Sequence, residues 1–125
     1  MDHSAFQSWL DRYIGAWRSN EADDIRALFS EKASYRFHPW DTPLNGREAI
    51  VAAWLEDPDA ADSWEADYRA AAVDGDTAVA TGVSRYLTAD RSAVDRTYHN
   101  VFVCRFDGDG RCSDFTEYFV EEKRG

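Results

Sequence analysis

Phe6, Trp9, Leu10, Tyr13, Ile14 and Trp17 fall at the i, i+3, i+4, i+7, i+8, i+11 spacing that puts side chains on one face of a helix. The stripe predicts a first helix, and Ser4 followed by Gln7 reads as its capping box. A second, shorter helix follows, with Asn20 as its cap and Ile25, Leu28 and Phe29 facing inward. The period then changes. Ala33, Tyr35 and Phe37 alternate with Ser34, Arg36 and His38, which is a strand pattern. Pro39 and Pro43 prevent it from continuing, because proline lacks a backbone donor and restricts the residue before it. Asn45 and Glu48 read as the cap of a third helix carrying Ala49, Ile50, Ala53 and Trp54, and Pro58 stops it.

The second half of the chain reads as strands. Trp64, Ala66, Tyr68, Ala70 and Ala72 alternate with Glu65, Asp67 and Arg69, and the turn Asp74-Gly75-Asp76 leads into a strand from Ala78 to Leu87. Thr88 to Asp95 reads as a polar connection. Tyr98 to Phe106 follows, then the turn Asp107-Gly108-Asp109-Gly110 and a last strand from Arg111 to Val120. Aspartate–glycine turns between alternating runs signal hairpins. Strands this long must twist and bend, which gives the sheet a concave side that helices can cover. The predicted fold is therefore α+β, in the order α-α-β-α-β-β-β-β, with a strongly curved antiparallel sheet around three helices.

Composition narrows the picture. The 125 residues suit one domain over residues 1–125, and the aromatic content of 14% supplies a core. Acids outnumber bases by 24 to 14, and the net charge of −10 disfavours nucleic acid and anionic membrane surfaces as partners. The chain has no apolar run long enough to span a bilayer, and Met1 to Tyr13 lacks the pattern of a signal peptide. A cytoplasmic location is expected. Cys104 and Cys112 flank a turn and are expected to remain reduced. His3, His38 and His99 have no metal-ligand spacing, so no metal is expected.

Particular residues carry a family resemblance. Trp9, Trp17, Asp24-Ile25, Leu28-Phe29, Ala33-Ser34-Tyr35-Arg36-Phe37 and Asn45-Gly46-Arg47-Glu48-Ala49-Ile50 form a pattern similar to the NTF2-like superfamily. Arg105 to Arg111 and Glu117-Tyr118-Phe119 extend the resemblance to the end of the chain. More narrowly, the chain resembles the SnoaL-like polyketide-cyclase and ketosteroid-isomerase branch. That resemblance implies a cone-shaped, cystatin-like α+β barrel-type fold with a pocket at its open end. It also implies homodimers through the outer sheet face.

The resemblance further implies a role for Tyr13 as an oxyanion donor, since Arg12-Tyr13-Ile14 is similar to the tyrosine-bearing stretch of the isomerases. Where those enzymes carry the base, this chain has His38 before Pro39, and Phe102 stands at the position of their protonated aspartate. Steroid isomerisation by their mechanism is therefore not expected. His38 is a candidate base, because imidazole titrates near neutral pH; the alternative is a loop histidine bonded to backbone. Glu117 shares a strand face with Phe115 and Phe119, so it is either an acid/base group or a partner of Arg36 or Arg85. Asn100 and Phe102 share an inward face that leaves His99 outside. Asp41 reads as a solvated loop residue. Tyr35, Trp40, Trp54, Tyr68, Asn100, Phe102 and Phe115 are the expected ligand-contacting residues.

The function expected from these residues is a pocket for a small apolar organic molecule. Without a cofactor, such a site would perform acid/base isomerisation, cyclisation or dehydration through His38, Tyr13 and Glu117. A dehydratase of the histidine–tyrosine kind would need a second inward histidine. The alternative is a non-catalytic ligand-binding or dimerisation module of the same fold.

Overall fold

In a computed structural model, which describes residues 1–124, the first apolar stripe forms α1 (His3–Ser19) and a short α2 (Ala22–Arg26) follows. The remaining elements are β1 (Phe29–Arg36), β2 (Leu44–Asn45), α3 (Arg47–Glu56), β3 (Trp64–Asp74), β4 (Thr77–Leu87), β5 (Val94–Phe106) and β6 (Cys112–Glu121). The strands make one curved, unclosed sheet in the order β2-β1-β6-β5-β4-β3. All neighbours are antiparallel except β1 and β6, which run parallel with Tyr35 opposite Phe115. The chain is thus an α+β fold with three helices and a six-stranded sheet.

The helix boundaries differ from the sequence expectation for local reasons. Asp2, not Ser4, caps α1 by accepting a 2.7 Å hydrogen bond from the Ala5 amide. Gln7 is used elsewhere: its amide donates to the Tyr68 carbonyl and accepts from the Ala70 amide, which fastens α1 to β3. Asn20 is the C-cap of α1 at φ 53°, and Glu21 takes the N-cap position of α2. Gly46, at φ 94°, precedes α3 where Asn45 was expected to cap it, while Asn45 pairs in β2. Glu48 is drawn to Arg26 instead, with bonds of 2.9–3.1 Å. Phe29 begins β1 rather than closing α2, and β5 starts at Val94, inside the segment expected to be a connection.

The inner face of the sheet and the helices share a core that includes Phe6, Trp9, Leu10, Ile25, Phe29 and Phe115. Trp9 packs edge-on to Phe106 at 5.3 Å and donates its indole N–H to the Leu28 carbonyl. Cys104 and Cys112 are buried and unbonded in the same layer. Gly82 lies between Tyr68 on β3 and Asn100 on β5. A Cβ there would stand 2.3 Å from both the Tyr68 ring and the Asp67 carbonyl, so only glycine admits so close an approach. The missing side chain leaves room for the Tyr68 ring, which lines the cavity.

Candidate active site: a tyrosine-lined cavity with one partly buried carboxyl

The concave face and the helices leave a cavity of about 440 Å³. Tyr13 and Trp17 reach it from α1, one helical turn apart, and Ala53 and Trp54 reach it from α3. The sheet contributes Tyr35, Tyr68, Ser84, Asn100 and Glu117. The more exposed part of the wall carries Phe37, Arg96, Tyr98 and Phe119, with Asp57 to Asp59 arriving from the turn after α3.

Phe102 and Phe115, expected to touch the ligand, are fully buried and do not line the cavity. They lie one layer beneath it. Phe115 stacks on Tyr13 and Tyr35 with ring centroids 5.6 and 4.5 Å apart, and Phe102 packs against Tyr68 at 4.7 Å. Alternation identified their face correctly, but the tyrosines are longer and cover them. The phenylalanines hold the tyrosine rings in place.

The polar groups form two sets. The phenol oxygens of Tyr13 and Tyr35 are 3.1 Å apart and buried. Across the sheet, the Ser84 hydroxyl donates to the Asn100 side-chain oxygen at 2.9 Å, and both residues are buried. Burial raises the phenols of Tyr13, Tyr35, Tyr68 and Tyr86 above their ordinary range, and the Glu117 carboxylate adds to each rise. All four therefore stay protonated near neutral pH and act as donors.

Glu117 follows from the period of β6. Phe115, Glu117 and Phe119 face one way, and Glu117 stands opposite Phe102 on β5. No hydrogen bond or ion pair reaches its carboxyl group among the described residues. Arg36, considered above as a partner, pairs with Asp114 at 3.6 Å instead. Burial lifts the Glu117 pKa from 4.5 to about 7, with the positive charge of His38 pulling it the other way.

His38 lies outside the cavity lining. Its Nδ1 meets the Asp41 carboxylate at 2.9 Å, its ring stacks on Trp40 at 4.9 Å, and Phe119 lies 5.3 Å away. Asp41 is therefore not simply solvated; it holds the imidazole. Trp40 is 79% exposed and does not line the cavity. His99 is on the outer face, bonded to Glu122 at 2.9 Å, so the second inward histidine of a dehydratase-like pair is missing. Among the described residues, no group of three His, Cys, Asp or Glu side chains is placed to hold a metal ion. No helix there is long and apolar enough to cross a membrane.

Ser84, Tyr86, Arg96 and Tyr98 also line the cavity and were not expected from the sequence. Ser84, Tyr86 and Tyr98 continue the inward alternation that marks Ala80 and Asn100, and that signal was available. Arg96 has the same parity, but the strand expected from Tyr98 stopped short of it.

The fold and the cavity place the chain among NTF2-like proteins. It belongs to the SnoaL-like domain family, whose model matches residues 10–115. No curated protein matches it in sequence. Among solved structures, a candidate ketosteroid isomerase from Kribbella flavida is 17% identical over 99% of this chain and 84% of its own, with a TM-score of 0.70. An NTF2-like protein of unknown function from Burkholderia xenovorans is 15% identical over 98% of this chain and 88% of its own, with a TM-score of 0.73. SalBIII, an epoxide hydrolase/cyclase-like enzyme of pyran ring formation in the polyether salinomycin, is 14% identical with a TM-score of 0.73, covering 95% of this chain and 93% of its own. Likeness at these identities establishes the fold alone.

Proposed function

We propose that the cavity is a cofactor-independent acid/base site for a small, largely apolar carbonyl compound, with Glu117 as the proton carrier. The observation that carries this reading is the Glu117 carboxyl group. It lines the cavity, has no protein partner among the described residues, and is partly buried, a desolvation that raises its pKa to about 7. A carboxylate of that pKa is poised both to remove a proton and to return one. The phenols of Tyr13 and Tyr35 are paired, so only one of their two protons is spent on the other, and the second is free for a ligand oxygen.

The reaction follows from those positions. The Glu117 carboxylate takes a proton from the carbon next to the substrate carbonyl, and the electron pair moves onto oxygen as an enolate. The tyrosine pair donates to that enolate oxygen. Collapse of the enolate with reprotonation elsewhere gives isomerisation; attack on a second carbonyl gives aldol-type cyclisation; loss of a β-hydroxyl gives dehydration. His38 acts through charge from beside the mouth rather than as the base.

The test is exchange of α-protons for deuterium in 2-tetralone, followed by proton NMR. The protein should accelerate exchange, and Glu117→Gln should lower the rate by about 10²-fold or more. Unchanged exchange in the presence of wild-type protein would count against the reading.

The outer face of β5 and β6 supports a homodimer, since Val101, Tyr118 and Val120 are exposed there and adjacent. A purely monomeric mass at micromolar concentration would reject that assembly.

A further inference from the structure

Arg96 is the only cation among the residues lining the cavity. Its guanidinium is fixed in place by aromatic neighbours. It lies 5.3 Å from the Tyr86 ring and 5.8 Å from the Tyr98 ring, and Nη1 donates to the Tyr98 hydroxyl at 3.1 Å. Tyr86 is its direct cross-strand neighbour. Its one ion pair among the described residues is with Asp95, 3.6 Å from Nε, and Asp95 is shared with Arg124 at the same distance. Both members of the Arg96–Asp95 pair are about half exposed, so the pair neutralises Arg96 weakly. Nη2 has no partner among the described residues. What remains is an oriented, partly unsatisfied donor fork on the cavity wall, a geometry that suits a planar carboxylate.

Its position in the sheet adds a second constraint. Arg96 is six residues along β5 from Phe102, the cross-strand partner of Glu117. At roughly 3.3 Å per residue the backbone positions are at most about 20 Å apart, and the curve of the sheet shortens that span, so Arg96 and Glu117 face one cavity from separate rungs of the sheet. The surrounding charge makes the arginine more telling. A chain of net charge −10 repels anions, so a lone arginine in the wall decides whether an anionic group can enter there. Asp59, on the same wall, is already engaged by the Trp17 indole N–H at 3.0 Å.

We propose that Arg96, held by Tyr86 and Tyr98, is an anion-recognition subsite at the cavity mouth, and that the substrate is an elongated carbonyl compound with a carboxylate remote from its reacting carbon. The carbonyl half of that statement rests on the acid/base reading of Glu117; the carboxylate half rests on Arg96 alone. Arg96 selects and orients the substrate.

The experiment compares 6-acetyl-2-naphthoate with its neutral isostere 6-acetyl-2-naphthamide by isothermal titration of the intact protein. Wild-type protein should bind the carboxylate about tenfold or more tightly than the amide. Arg96→Met keeps the stem and should abolish that preference while moving amide affinity less than about threefold. Arg96→Lys should restore part of it, since the charge returns without the fork. Glu117→Gln should keep the carboxylate preference, so its loss of proton exchange tests the other reading separately. Equal affinity of the wild type for both probes would overturn the proposal. So would binding of neither probe at millimolar concentration, or equal weakening of both by Arg96→Met. Thermal melts of each variant establish that it is folded.

Discussion

The phenol oxygens of Tyr13 and Tyr35 meet at 3.1 Å, bringing α1 and β1 together over the stacked ring of Phe115. Both residues are buried, and the bond gives one hydroxyl its acceptor and the other its donor. Tyr13→Phe leaves the Tyr35 hydroxyl without that partner and should cost about 1–3 kcal/mol. Replacing both tyrosines removes the unpaired group, so the double variant should cost less than the sum of the single ones. Urea denaturation of the four proteins measures the coupling; strictly additive losses would mean that the bond does not matter to stability.

Glu117 should make stability depend on pH. Its pKa is raised from 4.5 to about 7 on folding, so the folded state binds the extra proton. The contribution is fully present below pH 4.5 and is lost as pH rises through about 7. The full shift corresponds to up to about 3 kcal/mol. Glu117→Gln should be more stable than wild type at pH 8 and should flatten the decline between pH 5 and 8. Parallel pH–stability curves for the two proteins would contradict the assignment.

His38 acts on Glu117 through charge, and the direction of its effect follows. Its positive charge lowers the Glu117 pKa. His38→Gln should therefore move the Glu117-dependent loss of stability to higher pH. If the loss moves to lower pH, or stays in place, His38 is not the balancing charge.

Gly82 leaves the space into which the Tyr68 ring packs. Gly82→Ala places a methyl group 2.3 Å from the Tyr68 ring and the Asp67 carbonyl, so β3 and β4 must separate. Overpacking of this kind costs about 1–3 kcal/mol. A thermal melt should show the loss, and ligand affinity should fall with it because Tyr68 is displaced. An unchanged melting temperature would mean that the sheet absorbs the methyl group without strain.

Periodicity made the architecture legible, because α1 and the long strands bury one face each. Phe6, Trp9, Leu10 and Tyr13 could hardly be arranged otherwise. The caps were less legible, since a side chain near a helix start has other choices. Gln7 bonds to β3 and Glu48 to Arg26, so neither completes the box that its spacing suggested. The inward face of Glu117 followed from alternation with Phe115 and Phe119. Depth within that face did not: period two cannot tell the tyrosines that touch the cavity from Phe102 and Phe115 beneath them. Nor can it reveal that Asp41 occupies His38, since that contact forms within an irregular loop.

The acid/base function proposed for the cavity rests on Glu117, a partly buried carboxyl group with no protein partner among the described residues and a pKa raised to about 7. Carbon-13 NMR of the glutamate side-chain carboxyls, with Glu117→Gln to assign the resonance, follows that titration without a substrate. The midpoint for Glu117 should lie near pH 7. A midpoint in the ordinary glutamate range, about 4.3, would contradict it.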